Sequence, residues 1–141
     1  MKKIKIEAVV KGGIEKVWEY WNGSEHIPNW AFASEDWGAS VVRNDLREGG
    51  SFSTRMAAND GSAAFDFSGT YTKVVPYSEV SYTLDDGRAV SVAFKESDGG
   101  TVEIVQEFEM EQENSEEMQR AGWQAFLDNF KKYAEREVMF P

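Results

Sequence analysis

Between about residues 38 and 110 apolar side chains recur at every second position, and this alternation constrains the fold more than any other feature of the chain. A period of two is typical of a strand with one buried face. Polar and glycine-rich turns interrupt the pattern, among them 59–61, 85–87 and 98–100. Short strands separated by tight turns predict an antiparallel meander. The strands predicted here are 39–43, 51–57, 64–74, 79–84, 88–96 and 101–110.

A further strand and two short helices are predicted before this region, and one long helix is predicted after it. Residues 2–10 predict one further strand, and Ile14–Trp21 predicts a short helix that ends at Asn22-Gly23. A second short helix is expected around 25–30, with Ser24 as its N-cap. The last predicted helix begins with a capping box of Asn114 and Glu117, ends near Arg136, and is long enough to cross the sheet. Its inward stripe is Gln119, Trp123, Phe126, Leu127, Phe130, Tyr133 and Ala134.

These elements predict an α+β fold of six or seven antiparallel strands, with a long helix that encloses an apolar cavity against the sheet. A chain of 141 residues suits one domain, 1–141. Five Trp, five Tyr and nine Phe are enough for a sizeable core, although only 41% of residues are apolar. The sequence has no cysteine, which excludes disulfides and thiolate chemistry.

Charge and hydropathy narrow the expected partners. The formal charge of −10 argues against a protein that binds the phosphate backbone of nucleic acids. No stretch approaches the roughly 20 apolar residues of a membrane span, and the basic N-terminus lacks the apolar segment of a signal peptide. We therefore expect a cytoplasmic protein with no membrane and no nucleic-acid partner. The exposed edges of a short meander allow a homodimer.

The order of elements resembles the helix-grip fold of the START-like (SRPBCC) superfamily, over about residues 3–135. Short local sequences resemble its branch named for the activator of a heat-shock chaperone ATPase, in the small bacterial form. They are Val17-Trp18, Asp45–Gly50, Gly69-Thr70-Tyr71, Tyr82-Thr83, Asp86-Gly87-Arg88 and Gly122-Trp123. The resemblance implies a cavity that holds a small hydrophobic or amphipathic molecule, and it does not imply one activity.

The candidate ligand-binding residues are the inward positions of the strands and helices. They are Trp30, Phe52, Thr54, Phe67, Tyr71, Tyr82, Phe94, Ile104, Gln106, Gln119 and Trp123. Gln106 is the leading polar contact, because an unpaired buried amide costs about 1–3 kcal/mol. It would orient a carbonyl or hydroxyl of the ligand, or else pair with another core polar group or water. Gly122, in mid-helix, would allow a close approach of the helix to its neighbours.

Titratable residues offer little chemistry. His26 is the only histidine, so a two-histidine metal site is excluded. It is either an exposed or simply hydrogen-bonded residue or a donor or general base at the cavity entrance. Alternation puts Arg55 and Asp66 on the wet face, where only a bulge would turn them inward as a buried ion pair. The segment Asp85–Arg88 is interpreted as a turn. No cofactor, no metal site and no catalytic residue are predicted.

Three functions remain open from the sequence. The leading one is binding, by sequestration or carriage, of a small hydrophobic molecule. The second is an enzyme of the polyketide cyclase/dehydratase or hydrolase type acting on an aromatic substrate, which needs a titratable pair in the cavity. The third is a chaperone-ATPase stimulating module, implied by the family resemblance alone. A chaperone partner is disfavoured, because the activator itself is larger and carries a further domain.

Overall fold

The computed structural model of the chain describes residues 2–139 and has the elements in the predicted order. Seven strands are joined by tight turns, with a short helix and a 3-10 helix after the first strand and a long helix after the last. Their bounds are β1 Lys3–Lys11, α1 Ile14–Asn22, the 3-10 helix Ile27–Asn29, β2 Trp37–Asn44, β3 Ser51–Ala58, β4 Ala64–Val75, β5 Glu79–Leu84, β6 Ala89–Ser97, β7 Thr101–Glu109 and α2 Glu116–Met139.

All seven strands form one antiparallel sheet in the order β1-β7-β6-β5-β4-β3-β2. The meander β2 to β7 follows the chain, and β1 joins its end by pairing with β7. In that register Ile4 lies opposite Phe108 and Ile6 lies opposite Gln106. The arrangement confirms the predicted α+β helix-grip fold.

The long helix α2 lies along β1 instead of crossing the whole sheet as expected. The reason is a series of polar contacts with one strand. Arg120 Nη1 donates to the carbonyl of Lys5 at 2.7 Å, and Lys131 Nζ donates to that of Val9 at 2.6 Å. Near the far end the Lys11 amide donates to Glu135 Oε2 at 3.0 Å. These bonds satisfy backbone groups along the outer edge of β1, so α2 also covers that edge.

Two predicted helix boundaries need correction, the start of α2 and the extent of the second short helix. Ser115, not Asn114, caps α2, since its Oγ accepts the Met118 amide at 3.1 Å. The predicted capping box with Glu117 therefore does not form. The second short helix is only the 3-10 helix Ile27–Asn29, which follows His26 and carries a proline at its start. Proline lacks the N–H that a longer helix would need.

A β-bulge in β2 curls the sheet at its free edge. The pairing of β2 with β3 shifts between Ser40 and Arg43, and Val41 there has a positive φ of 48°. The extra residue changes which side chains face inward. Ala39 and Asn44 are five positions apart, yet both lie on the inner face. In the part of the chain described, no helix is long and apolar enough to cross a membrane.

Candidate functional site

A cavity of about 300 Å³ lies between the inner face of β2–β5 and the helices. Strands β3, β4 and β5 form its floor, and α1, the 3-10 helix and the middle of α2 form its sides. Its apolar lining is Trp21, Ile27, Trp30, Ala31, Phe52, Met56, Phe65, Phe67, Val80, Trp123 and Phe126. Its polar lining is Asn22, Asn44, Thr54, Tyr71, Tyr82, Arg88 and Gln106.

The floor is a cluster of aromatic rings in tilted and edge-to-face contact. The ring centre of Phe52 lies 4.9 Å from that of Tyr82 and 5.1 Å from that of Tyr71. Phe52 packs against the strand at Gly69, where a Cβ would collide with the Thr83 carbonyl oxygen and come within 3.0 Å of the Phe52 ring. A glycine at this position therefore leaves room for the ring at the base of the cavity.

Most of the predicted ligand-binding residues lie in this lining. The structure places Trp30, Phe52, Thr54, Phe67, Tyr71, Tyr82, Gln106 and Trp123 around the cavity. Strand alternation and the helix stripe bring them together because β3, β4, β5 and β7 present the same face to α2. Phe65 also lines the cavity and is 50% exposed, which places it at the rim.

Three predicted residues lie outside the lining. Phe94 packs under α1, with its ring centre 5.2 Å from that of Trp18. Ile104 is fully buried at the β6–β7 pairing, beneath the part of the sheet that α2 covers. Gln119 uses its amide to close the loop before α2: Nε2 donates to the Asn114 carbonyl at 2.7 Å and Oε1 accepts the Glu111 amide at 2.8 Å. Each residue faces inward, but another element already fills the space above it.

His26 lies outside the cavity lining and is a hydrogen-bonded residue, the first of its two predicted alternatives. Its Nδ1 is 2.7 Å from the Tyr133 hydroxyl, and its ring packs against Tyr20. Its Nε2 lies 3.5 Å from Glu25 and 3.9 Å from Glu19. The histidine thus joins α1 to α2, while the adjacent 3-10 helix carries Ile27 and Trp30 to the cavity.

Two further expectations concern residues away from the lining. Arg55 and Asp66 pair at 3.2 Å on the wet face, with 48% and 56% of their side chains exposed, as alternation predicts without a bulge.

Gly122 does not mark a close approach, because a Cβ there would have no described atom within 4 Å.

Sequence reasoning missed a polar chain at one end of the cavity. The Tyr71 hydroxyl donates to Asn44 Oδ1, Asn44 Nδ2 donates to the carbonyl of Asn22 at 2.7 Å, and Asn22 Nδ2 donates to that of Trp18 at 3.1 Å. Asn44 faces inward only because of the β2 bulge, for which the sequence carries no clear signal. These bonds attach the curled edge of the sheet to α1.

Arg88 was missed for a different reason. We assigned Asp85–Arg88 to a turn, yet Arg88 lines the cavity and only 17% of its side chain is exposed. The available signal was the alternation of β6, where Val90, Val92 and Phe94 face inward and Arg88 is the next position in the same series. The predicted strand 88–96 begins at Arg88, so the alternation applied to its first residue would have found this side chain.

The electrostatics of the lining are simple. Its only titratable side chains are Tyr71, Tyr82 and Arg88, so among the residues that the structure describes no carboxylate or imidazole lines the cavity. Burial raises the pKa of both tyrosine hydroxyls, and for Tyr82 the neighbouring Gln106 amide opposes that rise. Both tyrosines therefore remain neutral hydrogen-bonding groups at physiological pH.

Comparisons with known proteins give one consistent result. The sequence profile of the family described as Activator of Hsp90 ATPase homolog 1-like protein matches residues 12–135. A solution structure of an AHSA1-like protein from Aeromonas hydrophila is similar at 46% identity and a TM-score of 0.90, covering 96% of this chain and 94% of that one. A protein from Cytophaga hutchinsonii shares 45% identity at a TM-score of 0.82, with 99% and 96% covered.

A more distant likeness concerns the fold alone. A crystal structure of a protein from Chromobacterium violaceum has a TM-score of 0.85 at 20% identity, and the match covers 96% of this chain and 99% of that one. No curated protein matches the sequence.

Proposed function

The chain belongs to the family of Activator of Hsp90 ATPase homolog 1-like proteins, within the START-like superfamily, and on that premise we propose that it binds a small hydrophobic or amphipathic molecule in its cavity. The observation that carries the proposal is the cavity itself, about 300 Å³ lined by aromatic rings and a few polar groups. Ligand pockets of about 300–1,000 Å³ are lined in this way, so the volume fits a small ligand.

The polar groups are suited to orienting a ligand. Gln106 and Thr54 are 5% and 6% exposed, and both contribute to the cavity lining. Every fully buried side-chain nitrogen and oxygen among the described residues has a partner, so the polar atoms left for a ligand are those that the cavity exposes. Together with the neutral hydroxyl of Tyr82 they supply donors and acceptors around an apolar body.

The residues of the lining support ligand binding better than they support acid–base catalysis. A cyclase, dehydratase or hydrolase of that kind needs a positioned proton acceptor near its operating pH. The titratable groups of the lining are two neutral tyrosines and an arginine, which is always protonated. None of the three is poised to accept a proton at neutral pH.

The test uses the neutral fluorescent dye N-phenyl-1-naphthylamine, which brightens in apolar surroundings. The whole chain should bind the dye, and Thr54→Phe should abolish binding because the ring fills the space above β3. Ser53→Phe, on the opposite face of the same strand, is the matched control and should leave binding unchanged. Equal loss in both variants, or no binding by the unchanged protein, would reject the cavity as a ligand site. Native mass spectrometry of gently purified protein would then identify what co-purifies.

A further inference from the structure

Arg88 is the one charged residue among the described residues of the cavity lining. It directly precedes β6, and its side chain is 17% exposed. The nearest carboxylate, Asp86, is 54% exposed and lies outside the lining. The cavity wall thus contains a mostly buried cation, whereas the chain as a whole has a formal charge of −10.

The ion pair with Asp86 uses little of the guanidinium. Arg88 Nε donates to Asp86 Oδ2 at 2.8 Å, and the Arg88 backbone amide donates to Oδ1 at 3.1 Å. A guanidinium has five N–H donors, so four remain on the two terminal nitrogens. Within residues 2–139 these four make no hydrogen bond to a protein acceptor.

A second arginine in the chain shows that the same local pairing can exist without a cavity. Arg47 Nε donates to Asp45 Oδ2 at 2.9 Å, with the same two-residue spacing in a turn, but its side chain is 70% exposed. At this exposure the remaining donors of Arg47 are accessible to solvent. At Arg88 burial reduces access to water, and a buried charge is costly unless it is hydrogen-bonded.

On the basis of the proposed function, we infer that the ligand is an organic acid whose anionic group binds Arg88. A carboxylate presents two oxygens that match the fork of the guanidinium, and charge-assisted bonds of this kind are about twice as strong as neutral ones. The apolar body of the acid lies over the ring cluster of Phe52 and Phe67. Its anionic end is held at the end of the cavity next to the β5–β6 turn.

The register of the strands gives the position of a second polar contact. Tyr82 lies opposite Val90, which is one pleat from Arg88, or about 7 Å along the strand. Gln106 lies opposite Val92, which is two pleats from Arg88, or roughly 13 Å. Tyr82 and Gln106 thus lie at increasing distance from Arg88 along the cavity, so an acid that also carries a hydroxyl or carbonyl group would meet a second polar contact there.

The experiment compares two probes of nearly equal shape, 2-naphthylacetic acid and 2-naphthylacetamide, in displacing N-phenyl-1-naphthylamine from the whole chain. The unchanged protein should prefer the acid by about tenfold, a difference that requires no variant. Arg88→Met should lower the affinity for the acid by about tenfold more than the affinity for the amide, so that the preference disappears. Arg47→Met removes the same charge from an exposed pair and should keep the preference intact.

Each outcome separates this inference from the proposed function. Equal binding of acid and amide by the unchanged protein overturns the role of Arg88 but leaves the cavity as a ligand site. Equal loss of preference in both arginine variants also overturns it, because the effect would then come from net charge. If the unchanged protein does not bind the dye, the proposed function is rejected before the role of Arg88 is tested.

Discussion

The inner face of the sheet has two halves that differ in what covers them. Under α1 and α2 the half made by β1, β7 and β6 is solid, with Ile4, Ile104 and Phe108 fully buried. The half made by β2 to β5 carries a more aromatic inner face, yet Phe52 and Phe67 remain partly exposed and border the cavity. Apart from the register shifts in β2 and β4, the strands alternate in the same way in both halves. The position of α2, bound along β1, makes one half a core and the other a cavity.

Trp123 stands at the boundary between the two halves. Its indole stacks on Phe108 with ring centres 4.1 Å apart and planes 8° apart, and meets Phe67 edge to face at 6.2 Å. One side chain thus closes the packed half and forms a wall of the hollow half. The comparison teaches that this sheet's apolar pattern alone does not distinguish a core position from a ligand contact.

The largest expected effect compares two strand phenylalanines that both contact Trp123. Phe108→Ala should lower the free energy of unfolding by about 3–5 kcal/mol, because it leaves a void in close-packed surroundings. Phe67→Ala should cost less than half as much, since it enlarges a cavity that already exists. Unfolding in urea measures both, and equal losses would mean that the two halves are packed alike.

A smaller loss is expected at the floor of the hollow half. Gly69→Ala should destabilise the chain by about 1–3 kcal/mol, since the added methyl meets the Thr83 carbonyl and the Phe52 ring. It should also reduce dye binding, because Phe52 must move into the cavity. An unchanged unfolding midpoint together with unchanged dye binding would show that the floor is looser than its geometry indicates.

Gln106→Leu tests the polar contact that β7, a strand of the packed half, contributes to the cavity lining. We expect the affinity for N-phenyl-1-naphthylamine, whose N–H can donate to the Gln106 side-chain carbonyl, to fall about fivefold, equivalent to about 1 kcal/mol for one hydrogen bond. Stability in urea should change little, because the leucine has a similar volume. Glu107→Leu, on the outer face of the same strand, is the control. Unchanged affinity for the amide, the acid and the dye would rule out an orienting role for Gln106.

The smallest effect has the opposite sign. Gly122→Ala should stabilise the chain by about 1 kcal/mol, because alanine favours the helix and its methyl meets no described atom within 4 Å. A higher unfolding midpoint with intact dye binding is the expected result. Destabilisation would instead support the sequence-based prediction that Gly122 allows α2 to approach a neighbouring element closely.

Much of the site followed from alternation, and the exceptions have separate physical causes. Phe52, Tyr71 and Tyr82 face the cavity because a strand's side chains alternate between its two faces. Asn44 was not predicted as a cavity residue, since one extra residue in β2 reverses that alternation. Arg88 was not predicted because the turn at 85–88 was interpreted without its place in the alternation of β6.

Other exceptions depend on which element lies above a residue. Phe94 and Ile104 do face inward, but packing against α1 and the adjoining core fills the space over them. Gln119 lies on the inward stripe of α2, yet it bonds to the backbone of the preceding loop. His26 pairs with Tyr133, a residue 107 positions away along the chain.

The sequence by itself determined the order of the elements, the antiparallel meander and the inward face of most strands, because these depend on local periodicity and turn chemistry. Only the tertiary structure decided that the cavity lies over β2–β5 and that an arginine belongs to its wall. The reason is that α2 is held along β1 by bonds between residues more than 100 positions apart, from Arg120 to Lys5 and from Lys131 to Val9. The position at which a helix packs on a sheet is not determined by a local sequence pattern.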